Sequence, residues 1–221
     1  VQCCVRVNGR VEICRIMHKL CIRVYHPVLT DTPAPRRGER ARGSARDRKA
    51  GLKMDPETRG LVARLVDEAR ALQDGIVEDR RALHRIPETG MELPETAAFV
   101  TERLDALGIG WRPCGTVSPE LTRRYEELGY PGVTRSTGVI AQIGSGGPCI
   151  LLRADMDALP IAEENDLPFR SRRACSHMCG HDAHTAMLLA GAAVLKRHEA
   201  ELPGTVKLMF QPGEELGAGS K

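Results

Sequence analysis

The residues best suited to carry chemistry lie at positions 176–185, which read SHMCGHDAHT and hold one thiol, three imidazoles and one carboxylate. Cys179 and His181 are the strongest candidates, because thiolate and imidazole are the ligands that zinc and similar metals prefer. Both side chains can point to one side of an extended loop, and Gly180 between them lets the backbone approach closely. Taken alone, the pair fits equally well a buried thiol beside a surface histidine.

Two acidic pairs flank this stretch, and each follows an apolar run that predicts a β-strand. Glu214 and Glu215 come after a Gln-Pro-Gly turn, so one carboxylate could bind a metal while its neighbour serves as general base for a metal-activated water. Asp155 and Asp157 lie on the same side of a strand by alternation. A solvated turn or local Asx hydrogen bonds would explain either pair alone. Three such groups at strand ends together predict a metal site.

The elements that must position these groups alternate between helical and strand patterns. Asp55 followed by Pro56 predicts a helix start, and apolar residues at helical spacing then predict one long helix that ends near 86–87. Residues 118–135 are predicted to form a helix and a turn at the surface. The other predicted helices cover 95–107 and 187–195, and the predicted strands cover 111–114, 137–143, 148–152 and 205–210. The two central strands are predicted to pair as a hairpin across a glycine turn at 144–147, and the interleaving predicts an α/β fold with a mixed sheet flanked by helices.

Composition is typical of a soluble globular protein. Of the 221 residues, 42% are hydrophobic and 28% charged, which is ordinary for that class, and the 3% of aromatic residues argues against a base-stacking surface. Residues 1–53 carry 13 Lys and Arg against 4 Asp and Glu, a net charge of +9, whereas the remainder carries 19 against 25, a net charge of −6. The mildly acidic remainder predicts no nucleic-acid partner, and no apolar run reaches the roughly 18 residues that would predict a membrane span.

The leading segment differs from the rest of the chain. Residues 31–53 are rich in Pro, Arg and Gly, a composition that cannot bury enough apolar surface to fold. We predict that residues 1–53 are a disordered or spurious extension, with a transit peptide as the alternative, and that residues 54–221 form the folded domain. The eight cysteines include no Cys-x-x-Cys pair and follow no signal peptide, which predicts reduced thiols in a cytoplasmic protein.

Four motifs in a fixed order carry a resemblance to a known family: LHRIPE at 83–88, RADMDALP at 153–160, CGHDAHT at 179–185 and FQPGEE at 210–215. The chain resembles the metal-dependent amidohydrolases that include hippurate hydrolase, the indole-acetyl-amino-acid hydrolases and N-acyl-amino-acid deacylases, relatives of aminoacylase and carboxypeptidase G. The resemblance covers roughly residues 57 to 221. It implies the N-terminal part of a zinc-peptidase-like catalytic domain, truncated before an inserted dimerisation domain.

The resemblance assigns a role to each candidate. Cys179, His181 and Glu215 match three metal ligands. Glu214 matches the general base, which takes a proton from the attacking water and passes it to the leaving amine. Asp157 matches an acid that orients a ligand and so fixes its geometry and basicity.

Four other positions have less certain roles, and one departs from the family pattern. Asp155 stands where dipeptidase-like relatives place a ligating histidine, so its role stays open. His84 at a predicted helix end is interpreted as structural, since side-chain hydrogen bonds are needed there. The roles of His177 and His184 stay open between a hydrogen-bonded part of the scaffold, which is the favoured interpretation, and, for one of them, support of a metal ligand. Gly213 stands where alanine is usual, a change expected to have little chemical effect.

The resemblance also implies the length, the oligomeric state, the metal ions and the substrate of the complete protein. Family members are nearly twice as long, form homodimers and supply two further histidine ligands from later sequence, so we expect an incomplete site for two divalent ions, manganese or zinc, with cobalt or nickel as alternatives. The predicted activity is hydrolysis of N-acyl amino acids such as hippurate, with a small-molecule substrate and neither a nucleic acid nor a membrane as partner. The alternatives are a dizinc aminopeptidase or deacetylase of the same superfamily, and a non-catalytic fragment that binds a metal or a partner.

Overall fold

The computed structural model describes residues 4–7, 10–13, 23–25 and 55–217. The prediction that residues 1–53 are disordered or spurious falls for the most part outside these residues. The described strands are β1 (Cys4–Val7), β2 (Arg10–Ile13), β3 (Arg23–Tyr25), β4 (Trp111–Cys114), β5 (Gly138–Ile143), β6 (Cys149–Asp155) and β7 (Thr205–Gln211). The described helices are α1 (Pro56–Ala71), α2 (Gln73–Arg85), α3 (Pro94–Ala106), α4 (Pro119–Glu127) and α5 (His181–Arg197), followed by a 3₁₀ turn at Glu199–Glu201. The predicted α/β class is confirmed.

The main sheet has the order β3-β6-β7-β5-β4, in which β6 and β7 are parallel and the other pairs antiparallel. The predicted hairpin between β5 and β6 is wrong, because β7 lies between these two strands. Parallel strands require a crossover, and α5 supplies it between β6 and β7. The glycines at 144–147 allow the chain to reverse, but they do not determine which strand becomes the neighbour.

The core lies between the sheet and its helices. Every second residue of the central strands is buried, as the two-residue period of a strand requires, and α3 and α5 pack on that face. The buried strand residues are Val139, Ala141, Ile143, Leu152, Ala154, Val206, Leu208 and Phe210, and the helices add Val100, Leu104, Leu188, Leu189 and Ala192. This packing fixes α5, and therefore its N-terminus, relative to the ends of β6 and β7.

The first predicted helix is two helices. The carboxylate of Asp55 accepts a hydrogen bond from the backbone N–H of Thr58 at 2.8 Å and caps α1, as predicted. The helix divides at Leu72, where φ is −89° and ψ is 0°. Apolar spacing continues across this residue, so periodicity could not reveal the break. The break directs α1 onto the C-terminal end of α5, where His198 Nε2 lies 2.9 Å from Glu68 Oε1.

The segment predicted as a surface helix and turn is anchored more deeply than expected. Ser118 caps α4 by accepting from the N–H of Leu121 at 3.1 Å. Tyr125 of this helix is fully buried and packs with Met91 in a second, small core, against which Leu216 also packs. The small core therefore supports the loop after β7 that carries the paired glutamates. None of the described helices is long and apolar enough to cross a lipid bilayer.

Candidate metal centre

The thiol, the imidazole and one glutamate predicted as ligands come together. Donor atoms of Cys179, His181 and Glu215 all lie within 4.8 Å of one another, and His181 Nε2 is 3.7 Å from Glu215 Oε1. Bonds of roughly 2.0–2.3 Å from each donor could meet at one ion across such distances. That these three residues bind a metal remains a prediction, but their donor atoms lie close enough together to share one ion.

The crossover explains why these residues meet. The chain leaves β6, returns through α5 and enters β7, so the C-terminal ends of both strands and the N-terminus of α5 face the same edge of the sheet. Gly180 adopts φ of +82° directly before α5, a left-handed conformation that glycine adopts without strain. This residue turns the loop so that Cys179 and His181 can flank the helix start.

Asp157 holds the ring of His181 in one orientation. His181 Nδ1 lies 2.8 Å from the backbone oxygen of Asp157 and 3.4 Å from its Oδ1, so this nitrogen donates and Nε2 is left to face Glu215. The other carboxylate oxygen, Oδ2, accepts from the backbone N–H of Glu215 at 3.0 Å. Asp157 thus contacts both predicted ligands through atoms that are not the predicted metal donors, as expected of an acid that orients ligands.

Glu214 occupies the open side of the cluster. Its Oε2 lies 3.9 Å from His181 Nε2, and 39% of its side chain is exposed, against 19% for Glu215. The more buried glutamate therefore faces the histidine at close range, while the more exposed one can reach a water molecule. This difference agrees with the predicted division into ligand and general base.

The loop that carries the glutamates requires glycine at position 213. Gly213 has φ of +70°, and a Cβ added there would collide with the sulfur of Met91 and lie 3.7 Å from the hydroxyl of Tyr125. The glycine therefore has a steric role in this chain, which is separate from the expectation that it changes little in the chemistry. Met91 and Tyr125 were not identified from the sequence, because a lone buried thioether and phenol carry no motif.

Asp155, whose role the sequence left open, is the centre of a charged cluster beside His181. Its oxygens lie 3.0 Å from Arg153 Nη1, 2.6 Å from His184 Nδ1 and 3.7 Å from His181 Nε2. Burial alone would raise the pKa of Asp155, but the hydrogen bond from His184 and the charges of His181 and Arg153 lower it to about 2. The His184 ring also stacks on that of His181, with centroids 5.5 Å apart.

The local charges favour a cation. Burial opposes protonation of His181, yet the hydrogen bond to Asp157 and the charges of Asp155 and Asp157 raise its pKa to about 9. The hydrogen bond to Glu215 raises the pKa of Cys179 to about 11, with burial and the charges of Glu215 and Glu214 acting in the same direction. The negative potential that holds these protons would equally attract a metal ion, which displaces them on binding.

Orphaned oxygen atoms give an independent sign that the site fits a metal. Oε1 of Glu215 and Oδ1 of Asp157 are buried and have no hydrogen-bond partner among the described residues. Buried polar atoms rarely stay unpaired, and a divalent ion between Cys179, His181 and Glu215 would satisfy the glutamate. Donor chemistry, spacing and charge therefore all suit a divalent metal.

The three other histidines considered from the sequence, His84, His177 and His184, differ in their surroundings. His184 is hydrogen-bonded to Asp155, and its Nδ1 belongs to a second group of possible metal donors with Asp155 and His181. His177 is 95% buried, but neither ring nitrogen has a partner within residues 55–217, so the predicted hydrogen-bonded role is not found there; burial lowers its pKa to about 4. His84 lies at a helix end as predicted, but it bridges Asp182 and Glu163, and Glu163 has no sequence motif that could have revealed it.

A thiolate, an imidazole and a carboxylate around one position, with a second carboxylate on the open side, define the class of metallohydrolase centres. The comparison with known sequences agrees with this class: residues 151–221 match the family described as Peptidase family M20/M25/M40. The chain belongs to this family, and the resemblance predicted from the four motifs is confirmed at that level.

The relatives include enzymes of amino-acid conjugates. The chain is 43% identical over 150 residues to IAA-amino acid hydrolase ILR1-like 5 of Arabidopsis thaliana, covering 67% of this chain and 30% of that protein. It is 41% identical over 152 residues to N-acetyl-L-cysteine deacetylase of Bacillus subtilis, covering 67% and 32%. The chain therefore spans about a third of the length of the curated relatives it matches.

Solved structures agree with the fold. The YXEP protein of Bacillus subtilis, a dinuclear metal-binding peptidase from the M20 family, matches with a TM-score of 0.55 and 37% identity over 68% of this chain and 38% of that one. A putative aminohydrolase from methicillin-resistant Staphylococcus aureus matches with a TM-score of 0.53 and 30% identity over 67% and 34%.

Proposed function

We propose that this chain forms part of the active site of a metal-dependent amidohydrolase that cleaves the amide bond of N-acyl amino acids. The observation that carries the proposal is the convergence of Cys179, His181 and Glu215 within 4.8 Å, with Glu214 on the open side. The names of the relatives support the substrate class, since they are a hydrolase of amino-acid conjugates and an N-acetylcysteine deacetylase.

Glu214 and Asp157 have different roles in such a reaction. A divalent ion would polarise the amide carbonyl and lower the pKa of water towards about 7. Glu214 takes the proton of the attacking water and delivers it to the leaving amine. Asp157 keeps His181 in one orientation through the bond to Nδ1, and the peptide N–H of Glu215 is fixed by the same aspartate.

The complete protein would hold two divalent ions, manganese or zinc with cobalt or nickel as alternatives; thiolate and imidazole suit zinc, and the carboxylate of Glu215 suits manganese. We also propose a homodimer acting on a small molecule in the cytoplasm, with hippurate as a representative substrate and with neither a nucleic acid nor a membrane as partner.

The test uses the complete protein that the gene encodes. Metal content is measured together with the hydrolysis of hippurate, N-acetylcysteine and a dipeptide with a free amino group. The proposal predicts cleavage of the N-acyl substrates, loss of that activity on chelation, and recovery with manganese or zinc. Cleavage of the dipeptide alone would favour an aminopeptidase, and absence of bound metal would favour a non-catalytic role.

A further inference from the structure

A second charged cluster lies directly behind the candidate metal centre and has no part in the chemistry proposed above. His84 at the end of α2 lies between two carboxylates: its Nδ1 is 2.7 Å from Asp182 Oδ2, and its Nε2 is 3.1 Å from Glu163 Oε2. The exposed fractions of these side chains are 5% for His84, 0% for Asp182 and 2% for Glu163. Arg80 Nε shares the same Asp182 oxygen at 2.7 Å.

The bridge defines the hydrogen-bonding state of the ring. An ionised carboxylate only accepts hydrogen bonds, so both nitrogens of His84 must donate to complete the two contacts. The guanidinium of Arg80 adds a further hydrogen-bonding partner for Asp182. Phe169 packs edge-on against the ring with centroids 5.6 Å apart, and its own face is covered by the guanidinium of Arg80 at 5.3 Å.

Each carboxylate belongs to a segment that lies next to a predicted metal ligand in the sequence. Asp182 follows His181 in the first turn of α5. Glu163 lies in the loop of residues 160–175, where its Oε2 also accepts from the N–H of Ser171 at 2.7 Å. This loop is closed at its base by the bridge between Leu159 and Ser176, three residues before Cys179.

The two segments therefore meet at the predicted ligands Cys179 and His181, which only Gly180 separates in the chain. The loop of residues 160–175 leads into the cysteine, and α5 begins at the histidine. Only two residues of chain follow Ser176 before Cys179, so a shift of the loop relative to α5 would change the distance between the thiol and the imidazole. His84 contacts both segments through Glu163 and Asp182, and Arg80 also contacts both, through Phe169 and Asp182.

Stability of the fold is a weak explanation for the cluster. Burying ion pairs removes charged groups from water, and this penalty often exceeds the attraction between them. Outer partners that orient metal ligands, in contrast, commonly change metal affinity by about 10- to 100-fold when they are removed.

We infer that His84 is a positioning residue of the metal centre, which holds the loop of Cys179 and the helix start of His181 at a fixed separation by bridging Glu163 and Asp182. This inference rests on the proposed metal site, but it concerns a residue outside the predicted set of ligands and the predicted general base.

The experiment compares three variants of the complete protein: His84→Gln, Glu163→Gln and the matched control His198→Gln. His198 also bridges two carboxylates, with Nδ1 and Nε2 each 2.9 Å from Glu201 and Glu68, but it lies at the opposite end of α5. Zinc affinity is measured by competition with a chromogenic chelator, and cobalt(II) binding is followed through the thiolate-to-cobalt absorption band.

We expect the dissociation constant for zinc to rise by about 10- to 100-fold in His84→Gln, the range seen when outer partners of ligands are removed. Glu163→Gln keeps one of the two contacts and should raise the constant less, and His198→Gln should leave it unchanged. Adding Glu163→Gln to His84→Gln should have little further effect, because both act through one bridge. The cobalt band should weaken or shift in His84→Gln and not in the control.

A drop in melting temperature for His84→Gln, with zinc affinity and cobalt spectrum equal to those of the control, would show that His84 stabilises the fold only. If His84→Gln does not fold, Glu163→Gln is judged by the same criterion. If the wild-type protein binds no metal, the proposed function fails, and hydrogen exchange decides the inference separately. Exchange at residues 176–182 must then be faster in His84→Gln than in His198→Gln, and equal rates would refute the bridge.

Discussion

Nε2 of His181 lies 3.7 Å from Oε1 of Glu215, although one residue begins α5 and the other follows β7. The contact exists because β6, α5 and β7 form one parallel crossover whose ends meet at a single edge of the sheet. A buried carboxylate oxygen without a hydrogen-bond partner in the described part of the chain faces a histidine whose other nitrogen is already engaged by Asp157. The pair forms one side of the predicted metal site, and the thiol of Cys179 supplies the third donor.

Replacing Cys179 tests that third donor. Cys179→Ser should weaken zinc binding by at least about 100-fold, the upper end of what loss of an outer partner produces, because a serine hydroxyl is a far poorer ligand than a thiolate. The side chain is exposed, so the unfolding free energy without metal should change by less than about 0.5 kcal/mol. Isothermal titration with buffered zinc and chemical denaturation measure the two quantities.

The matched control is Cys175→Ser, since Cys175 Sγ lies 3.2 Å from the backbone oxygen of Pro87 and serine can keep that bond. Equal zinc affinities in the two serine variants would remove Cys179 from the site.

The sequence predicted which residues come together better than it predicted the topology around them. Cys179, His181 and the paired glutamates could be found because ligand types occur at short spacings next to strand ends. The neighbours of each strand could not be predicted in this way. The glycines before β6 permit a hairpin between β5 and β6, but β7 lies between these two strands. The bridge of His84 to Glu163 was also out of reach: the two residues are 79 positions apart, and a loop glutamate is normally solvated.

Introducing a side chain at Gly213 should disturb the glutamate loop. Gly213→Ala meets two penalties: a left-handed backbone, worth roughly 1–2 kcal/mol, and overpacking against Met91, worth roughly 1–3 kcal/mol. Gly129→Ala is the control, because its φ of +85° carries the same backbone strain while no atom lies within 4 Å of the added Cβ. Urea denaturation should therefore show a larger loss for Gly213→Ala, and a loss equal to that of the control would mean that Met91 moves aside freely.

The charge on Asp155 should stabilise the metal-free fold at neutral pH and not in acid. Its pKa falls from the model-peptide value of 3.8 to about 2, so its contribution is fully present above about pH 4 and is lost as the pH falls through 2. The shift corresponds to about 2 kcal/mol. Asp155→Asn should lower the unfolding free energy by about that amount at pH 7 in the presence of a chelator.

The difference between wild type and Asp155→Asn should then shrink towards zero near pH 2. Asp67→Asn serves as the control, since the side chain of Asp67 is 72% exposed in its pair with Arg70 and should show little effect at any pH. A difference that persists unchanged at pH 2 would assign the effect of Asp155→Asn to packing or lost hydrogen bonds and not to charge.

One pair of isosteric substitutions in the complete protein separates the predicted roles of the two glutamates. Glu214→Gln should lower kcat by about 10²- to 10⁴-fold, the usual contribution of a general base, while bound metal stays unchanged because the more exposed carboxylate is not the predicted ligand. Glu215→Gln should release metal, since its buried oxygen faces His181 and the peptide N–H of the same residue is already held by Asp157. Metal analysis and steady-state kinetics on hippurate and N-acetylcysteine measure both effects. Loss of metal with partial activity in Glu214→Gln would exchange the two roles, because the residue that binds the ion must be the one whose removal empties the site.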